Sequence, residues 1–166
     1  MYLLGDGRLG IMYANEKHVV ETPSLDQVIS ERTSGDDGAT WSDEIIVASQ
    51  PTDNSGTHRP GMPVWTKMTN GNYIVVFEVC GAENCAIQSK ISSDGVSWDQ
   101  GLGASIPGLS NALYILSFND GTLFATAGCC GSGNGQVSYS IDFGQSWPVT
   151  NSAFQVPRFF QPLPIR

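Results

Sequence analysis

One short motif recurs three times in this chain and constrains its fold more than any other feature. Ser34-Gly35-Asp36-Asp37-Gly38-Ala39-Thr40-Trp41 and Ser140-Ile141-Asp142-Phe143-Gly144-Gln145-Ser146-Trp147 share the pattern S-x-D-x-G-x-[ST]-W, and Ser92-Ser93-Asp94-Gly95-Val96-Ser97-Trp98 repeats it with one residue fewer before the glycine. The copies are spaced by roughly fifty residues, the length of four short strands with their turns. A second signal precedes each copy: Asp6-Gly7, Asn70-Gly71 and Asp120-Gly121, each followed by a largely apolar run. Such dipeptides mark hairpins, and a type I′ turn is expected because it needs φ > 0 at both central positions. They are expected to join the first and second strands of each unit, and the motif the third and fourth. The motif's composition has a local reason: a short aspartate accepts N–H bonds inside a tight hairpin, glycine supplies positive φ, and tryptophan covers the unit's apolar edge. Repetition in every unit assigns these aspartates to folding rather than to catalysis.

The expected class is therefore all-β: four-stranded antiparallel sheets in succession, the blades of a propeller. With 19 Gly and 9 Pro punctuating 166 residues, and charged residues at only 14%, composition agrees. The blades are placed at about 1–50, 58–104 and 108–150, with the start of another at 154–166. Closed propellers take about four to eight blades, so residues 1–166 read as a partial propeller domain, a piece expected to be inactive and marginally stable by itself.

Sixteen acidic residues against eight Lys+Arg give a net charge of −8, which opposes a nucleic-acid or anionic-membrane partner. No apolar run approaches the ~18 residues of a membrane span. Met1-Tyr2-Leu3-Leu4 lacks a basic flank and meets Gly5-Asp6-Gly7 at once, so it reads as the end of a strand, with any signal peptide lying outside this chain. Cys80, Cys85, Cys129 and Cys130 allow three pairings, between which sequence does not choose. A Cys80–Cys85 bridge suits a hairpin, with its four intervening residues, and points to an extracellular protein. The same spacing is poor for zinc, and neither His18 nor His58 stands at ligand distance, so no metal or other cofactor is expected. Gly131-Ser132-Gly133-Asn134-Gly135 lacks the spacing and following helix of a phosphate loop. With two histidines in the chain, acyl-transfer chemistry has no supporting pattern.

The repeated motifs resemble the Asp boxes of sialidase-like β-propellers along nearly the whole chain. Around Tyr13-Ala14-Asn15-Glu16, Arg59-Pro60-Gly61-Met62-Pro63 and Asn70-Gly71-Asn72-Tyr73-Ile74-Val75-Val76-Phe77-Glu78 the likeness narrows to the exo-α-1,5-L-arabinanase family of glycoside hydrolases. That resemblance implies a six-bladed propeller in which two glutamates at strand ends act with retention, Glu78 as nucleophile and Glu16 as acid/base. Glycoside hydrolysis needs such a carboxyl pair flanking the scissile bond. Both glutamates lie an odd number of residues beyond their turn glycines, so period-2 alternation puts them on equivalent faces. A separation of roughly 5–5.5 Å is expected for retention.

Arg59 is the candidate for gripping sugar hydroxyls or a carboxylate; Tyr13, Asn15 and His58 are further candidates for the substrate site, with His18 and Trp65 as possible aromatic platforms. The expectation is a secreted hydrolase of arabinan-like polysaccharide. The alternatives are a sialidase and a non-catalytic propeller module that binds glycan or protein, since propellers host many functions.

Overall fold

The structure, a computed structural model, describes residues 1–16, 27–49, 59–80, 85–110, 113–128 and 135–154. Among these are twelve strands: β1 (Tyr2–Leu3), β2 (Leu9–Glu16), β3 (Gln27–Ser34), β4 (Ile45–Ser49), β5 (Arg59–Lys67), β6 (Tyr73–Cys80), β7 (Cys85–Ser92), β8 (Ala104–Ser110), β9 (Leu113–Ser117), β10 (Leu123–Ala127), β11 (Gly135–Ser140) and β12 (Val149–Phe154). They form three antiparallel meanders, β1 to β4, β5 to β8 and β9 to β12, hereafter sheets 1, 2 and 3. β8 runs on to Ser110 and β12 to Phe154, a few residues past the limits read from the turns. Cys129 and Cys130, the glycine-rich loop before Gly135 and the segment after Phe154 lie outside the described residues.

The Asx-Gly dipeptides do join the first and second strands, but not through type I′ turns. Gly7, Gly71 and Gly121 have φ of 90°, 91° and 88°, whereas Asp6, Asn70 and Asp120 do not take positive φ. In each loop the glycine N–H donates to a carbonyl three residues back, Gly7 to Leu4 (3.1 Å), Gly71 to Met68 (2.9 Å) and Gly121 to Phe118 (3.1 Å). This is the three-residue hairpin, a type I turn closed by one left-handed residue. The preceding carboxylate or amide then accepts the N–H two residues on: Asp6 from Arg8 (3.1 Å), Asn70 from Asn72 (3.0 Å) and Asp120 from Thr122 (2.9 Å). That side-chain bond explains why Asp or Asn stands there without needing positive φ.

The repeated motif bridges the third and fourth strands in all three sheets. In the first copy the Ser34 hydroxyl donates to Asp36 Oδ1 (2.7 Å) and accepts the Gly38 N–H (2.9 Å), while Asp36 accepts from the Thr40 N–H (2.8 Å) and hydroxyl (2.6 Å). Ser92, Asp94 and Ser97 repeat the pattern, as do Ser140, Asp142 and Ser146. The longer copies hold Asp37 and Phe143 at φ 57°; the shorter copy omits that strained residue.

The donors hold the aspartates in their charged form. The Thr40 hydroxyl and N–H, then Ser34, lower Asp36 to about 2; the Ser140 and Ser146 hydroxyls lower Asp142 to about 2. Asp94 is pushed upward by burial, but Ser97, Val96 and Ser92 together outweigh this and lower it.

Sheet 2 lies between the other two and is apolar on both faces. Along β6, Tyr73, Ile74, Val75, Val76 and Phe77 are all buried. Ile74 and Val76 join Ile87, Ile106, Leu113, Ile115 and Leu123 in the core shared with sheet 3. Val75, Phe77 and Val79 join Ile29 and Val47 in the core shared with sheet 1. Burial of each such side chain contributes about 1.5–3 kcal/mol.

Two buried polar groups stitch sheet 1 to sheet 2. Glu31 of β3 is fully buried and accepts hydrogen bonds from the Tyr2 hydroxyl and from Trp98 Nε1 (2.9 Å), the tryptophan of the second motif. Gly10, paired with Tyr2, leaves room for the tyrosine ring; a Cβ there would fall 2.5 Å from it. Lys90 of β7 donates to the carbonyls of Val47 (2.6 Å), Asp99 and Gly101 (3.1 Å). Burial lowers the Lys90 pKa.

These shifts give stability a characteristic pH dependence. Burial raises the Glu31 carboxyl, against the pull of Tyr2 and Trp98, so its ionisation disfavours the fold and stability rises as pH falls toward the ordinary carboxyl value near 4. Asp36 and Asp142 act oppositely: their contribution is full above about pH 4 and lost as pH falls through about 2. Urea unfolding across pH should show a maximum on the acid side of neutrality, with Glu31→Gln flattening the rise and sparing the acid limb. At neutral pH Glu31→Ala, which orphans both donors, should destabilise by about 2 to 4 kcal/mol.

Candidate active site

The buried stripe of β6 ends in a carboxylate. Glu78 follows the buried run near the end of β6, is half-buried, and lines a cavity. The cavity is about 240 Å³; Ala14 and Gln27 of sheet 1 line one side, and Arg59, Gly61, Met62, Glu78 and Cys80 of sheet 2 the other.

A bulge in β5 shapes this end of the sheet. Gly61 pairs with Glu78 and Val64 with Val76, so β5 carries one residue more than β6 between the two pairs. Pro63 fits there because it has no N–H to pair. Met62 absorbs the extra length with φ 48°, a left-handed conformation that costs a non-glycine residue about 1–2 kcal/mol.

Beyond Glu78 the hairpin is closed by the expected disulfide. Cys80 and Cys85 are directly cross-strand, with Cα atoms 3.9 Å apart. A Glu78 carboxylate oxygen and the two sulfurs lie within 4.8 Å of one another. The sulfurs are bonded to each other, so they are not thiolate ligands, and this cluster is not a metal site.

Of the candidates read from sequence, Arg59 and Glu78 come together in the cavity. Glu16 ends β2, pairs with Gln27 and stands two residues beyond Ala14. Its side chain, and with it the expected separation from Glu78, lies outside the described residues, as do His58 and His18.

Tyr13 and Asn15 do not line the cavity. Strand alternation turns them to the other face of β2 from Ala14, where the Tyr13 hydroxyl accepts from Arg32 Nε (3.2 Å) and the Asn15 amide donates to Glu44. Trp65 packs against Tyr2 and Tyr73 between the sheets. Gln27 and Met62 were not anticipated as lining residues. The signal for Gln27 is its pairing with Glu16, and for Met62 an apolar side chain in a Gly-x-Pro bulge.

No protein-family model matches the sequence, and no curated protein matches it either. Among solved structures, the chain is similar to the GH93 α-L-arabinofuranosidase of Fusarium graminearum in complex with arabinobiose, with a TM-score of 0.69 at 18% identity over 92% of this chain and 44% of that one. It is also similar to the Fusarium graminearum α-L-arabinofuranosidase Arb93A in complex with an iminosugar inhibitor, with a TM-score of 0.61 at 18% identity over 84% and 41%. The chain thus spans less than half the length of these neighbours. At this identity the likeness concerns the fold, and it identifies the three consecutive four-stranded sheets as blades of a β-propeller.

Proposed function

We propose that this chain contributes the catalytic end of a glycoside hydrolase that cleaves arabinan-like polysaccharide with retention, Glu78 acting as nucleophile and Glu16 as acid/base. The observation that carries this reading is Glu78 itself, a carboxylate at the end of a buried strand that opens into a cavity shared with Arg59 and Gln27. The fold likeness to an arabinofuranosidase structure holding arabinobiose supports the sugar class.

In the proposed reaction the Glu78 carboxylate attacks the anomeric carbon while Glu16 gives its proton to the departing glycosidic oxygen. Water then attacks the glycosyl ester, Glu16 takes the water's proton, and Glu78 leaves as carboxylate. No metal or cofactor enters this scheme. Arg59 and Gln27 would donate to ring hydroxyls, and Arg59 does so at any working pH. Arg59 is the only arginine lining the cavity among the described residues, which favours a neutral sugar over a sialoside, whose carboxylate calls for several cationic donors. The Cys80–Cys85 bridge supports an oxidising, extracellular location.

The test, in the complete propeller that carries these blades, is hydrolysis of linear arabinan, with the product anomer followed by proton NMR. Retention is expected. Glu78→Gln should lower kcat by more than about 10³-fold, whereas Glu16→Gln should spare aryl arabinosides, whose activated leaving groups need little acid assistance. Wild-type turnover in both variants would overturn the assignment, and saccharide binding without hydrolysis by the wild type would establish a binding module instead.

A further inference from the structure

The backbone at Met62 has the conformation that glycine adopts freely, yet the sequence spends its glycine one position earlier. At Gly61 an added Cβ would meet only ordinary contacts, Gln27 Nε2 at 3.5 Å and Glu78 Oε1 at 3.8 Å. At position 62, where φ is 48°, stands a long apolar side chain. In bulges of this kind the left-handed position is ordinarily glycine, and a residue before proline is further held toward extended conformations. Strain of this sort persists where the surrounding structure over-determines it, and it clusters at functional sites.

Packing gives no return for that strain. Met62 is 41% exposed and belongs to none of the three apolar core clusters. What Met62 does line is the cavity that Glu78, Arg59 and Gln27 also line.

We propose that Met62 is a ligand-contacting residue, its thioether held over the cavity by the strained bulge so that the C–H face of a small uncharged sugar ring packs against it. This rests on the sugar-site reading above and adds the residue that reads the ring's apolar face. The lining divides accordingly: Gln27, Arg59 and Glu78 offer polar groups to hydroxyls, while Met62, with Ala14 and Cys80, offers apolar surface. An unbranched, polarisable thioether adapts to such a face.

The experiment, in the complete propeller that carries these blades, measures arabinobiose binding by titration calorimetry, arabinan kinetics and thermal unfolding for the wild type, Met62→Gly and Met62→Leu. Met62→Gly removes both strain and side chain, and should bind arabinobiose about tenfold more weakly, a change of about 1.4 kcal/mol. It should raise KM for arabinan with kcat within about twofold, the mark of lost uniform binding, and melt at or above the wild-type temperature. Met62→Leu should bind within about threefold of wild type, because it keeps an apolar side chain of similar size. Wild-type affinity in Met62→Gly would overturn this inference alone. So would a lowered melting temperature in Met62→Gly, which would make Met62 a structural residue. Absence of arabinobiose binding by the wild type would overturn the sugar-site reading, and this inference with it.

Discussion

Burial of both faces of β6 is the constraint to which the rest of the molecule answers. A strand reading Tyr73-Ile74-Val75-Val76-Phe77 with every side chain buried is stable only if another apolar surface covers each side. Sheet 1 supplies one through Ile29 and Val47, and sheet 3 the other through Leu113, Ile115 and Leu123. Glu78 is then held by its place at the end of this stripe, on a strand whose alternation is fixed by packing on both faces rather than by a loop. A one-residue slip would move every buried side chain to the opposite face, so the register of the core is also the register of the carboxylate.

Much of this was legible because it is written in local chemistry. The hairpin glycines, the repeated serine-aspartate loops and the Cys80–Cys85 staple each depend on residues within a few positions of one another, and sequence displays such neighbours directly. The exact turn class was not legible, since Asp6, Asn70 and Asp120 serve through side-chain acceptance rather than through positive φ. Nor was Glu31, which stands among Ser30, Arg32 and Thr33 like a solvated residue. Its burial depends on Tyr2, 29 positions earlier, and Trp98, 67 later.

The candidate site divides along the same line. Glu78 was recognisable as a carboxylate closing an apolar run, and Arg59 as a guanidinium in the Arg59-Pro60-Gly61-Met62-Pro63 segment; the structure sets it opposite Cys80 on β6. Tyr13 and Asn15 were drawn in by proximity to Glu16 in the chain, but a strand separates adjacent residues onto opposite faces, and their partners Arg32 and Glu44 belong to the face away from the cavity. Gln27 and Met62 were hidden because one reaches the cavity from the neighbouring sheet and the other through a backbone angle.

The tryptophans of the repeated loops show how copies of one motif come to differ in use. Trp98 finds Glu31 in the preceding sheet, whereas Trp147 is buried with no hydrogen-bond partner for its Nε1. The residue three before the motif serine is Glu31 in sheet 1 and Ser89 in sheet 2, and the Ser89 hydroxyl donates instead to the Ala104 carbonyl within its own sheet. A chain built of similar units risks docking the wrong pair during folding. Here the two seams are chemically labelled: a sheet docked on β3 without an indole N–H at the Trp98 position would leave Glu31 only the Tyr2 hydroxyl of its own sheet, so a single buried acid marks the seam between sheets 1 and 2.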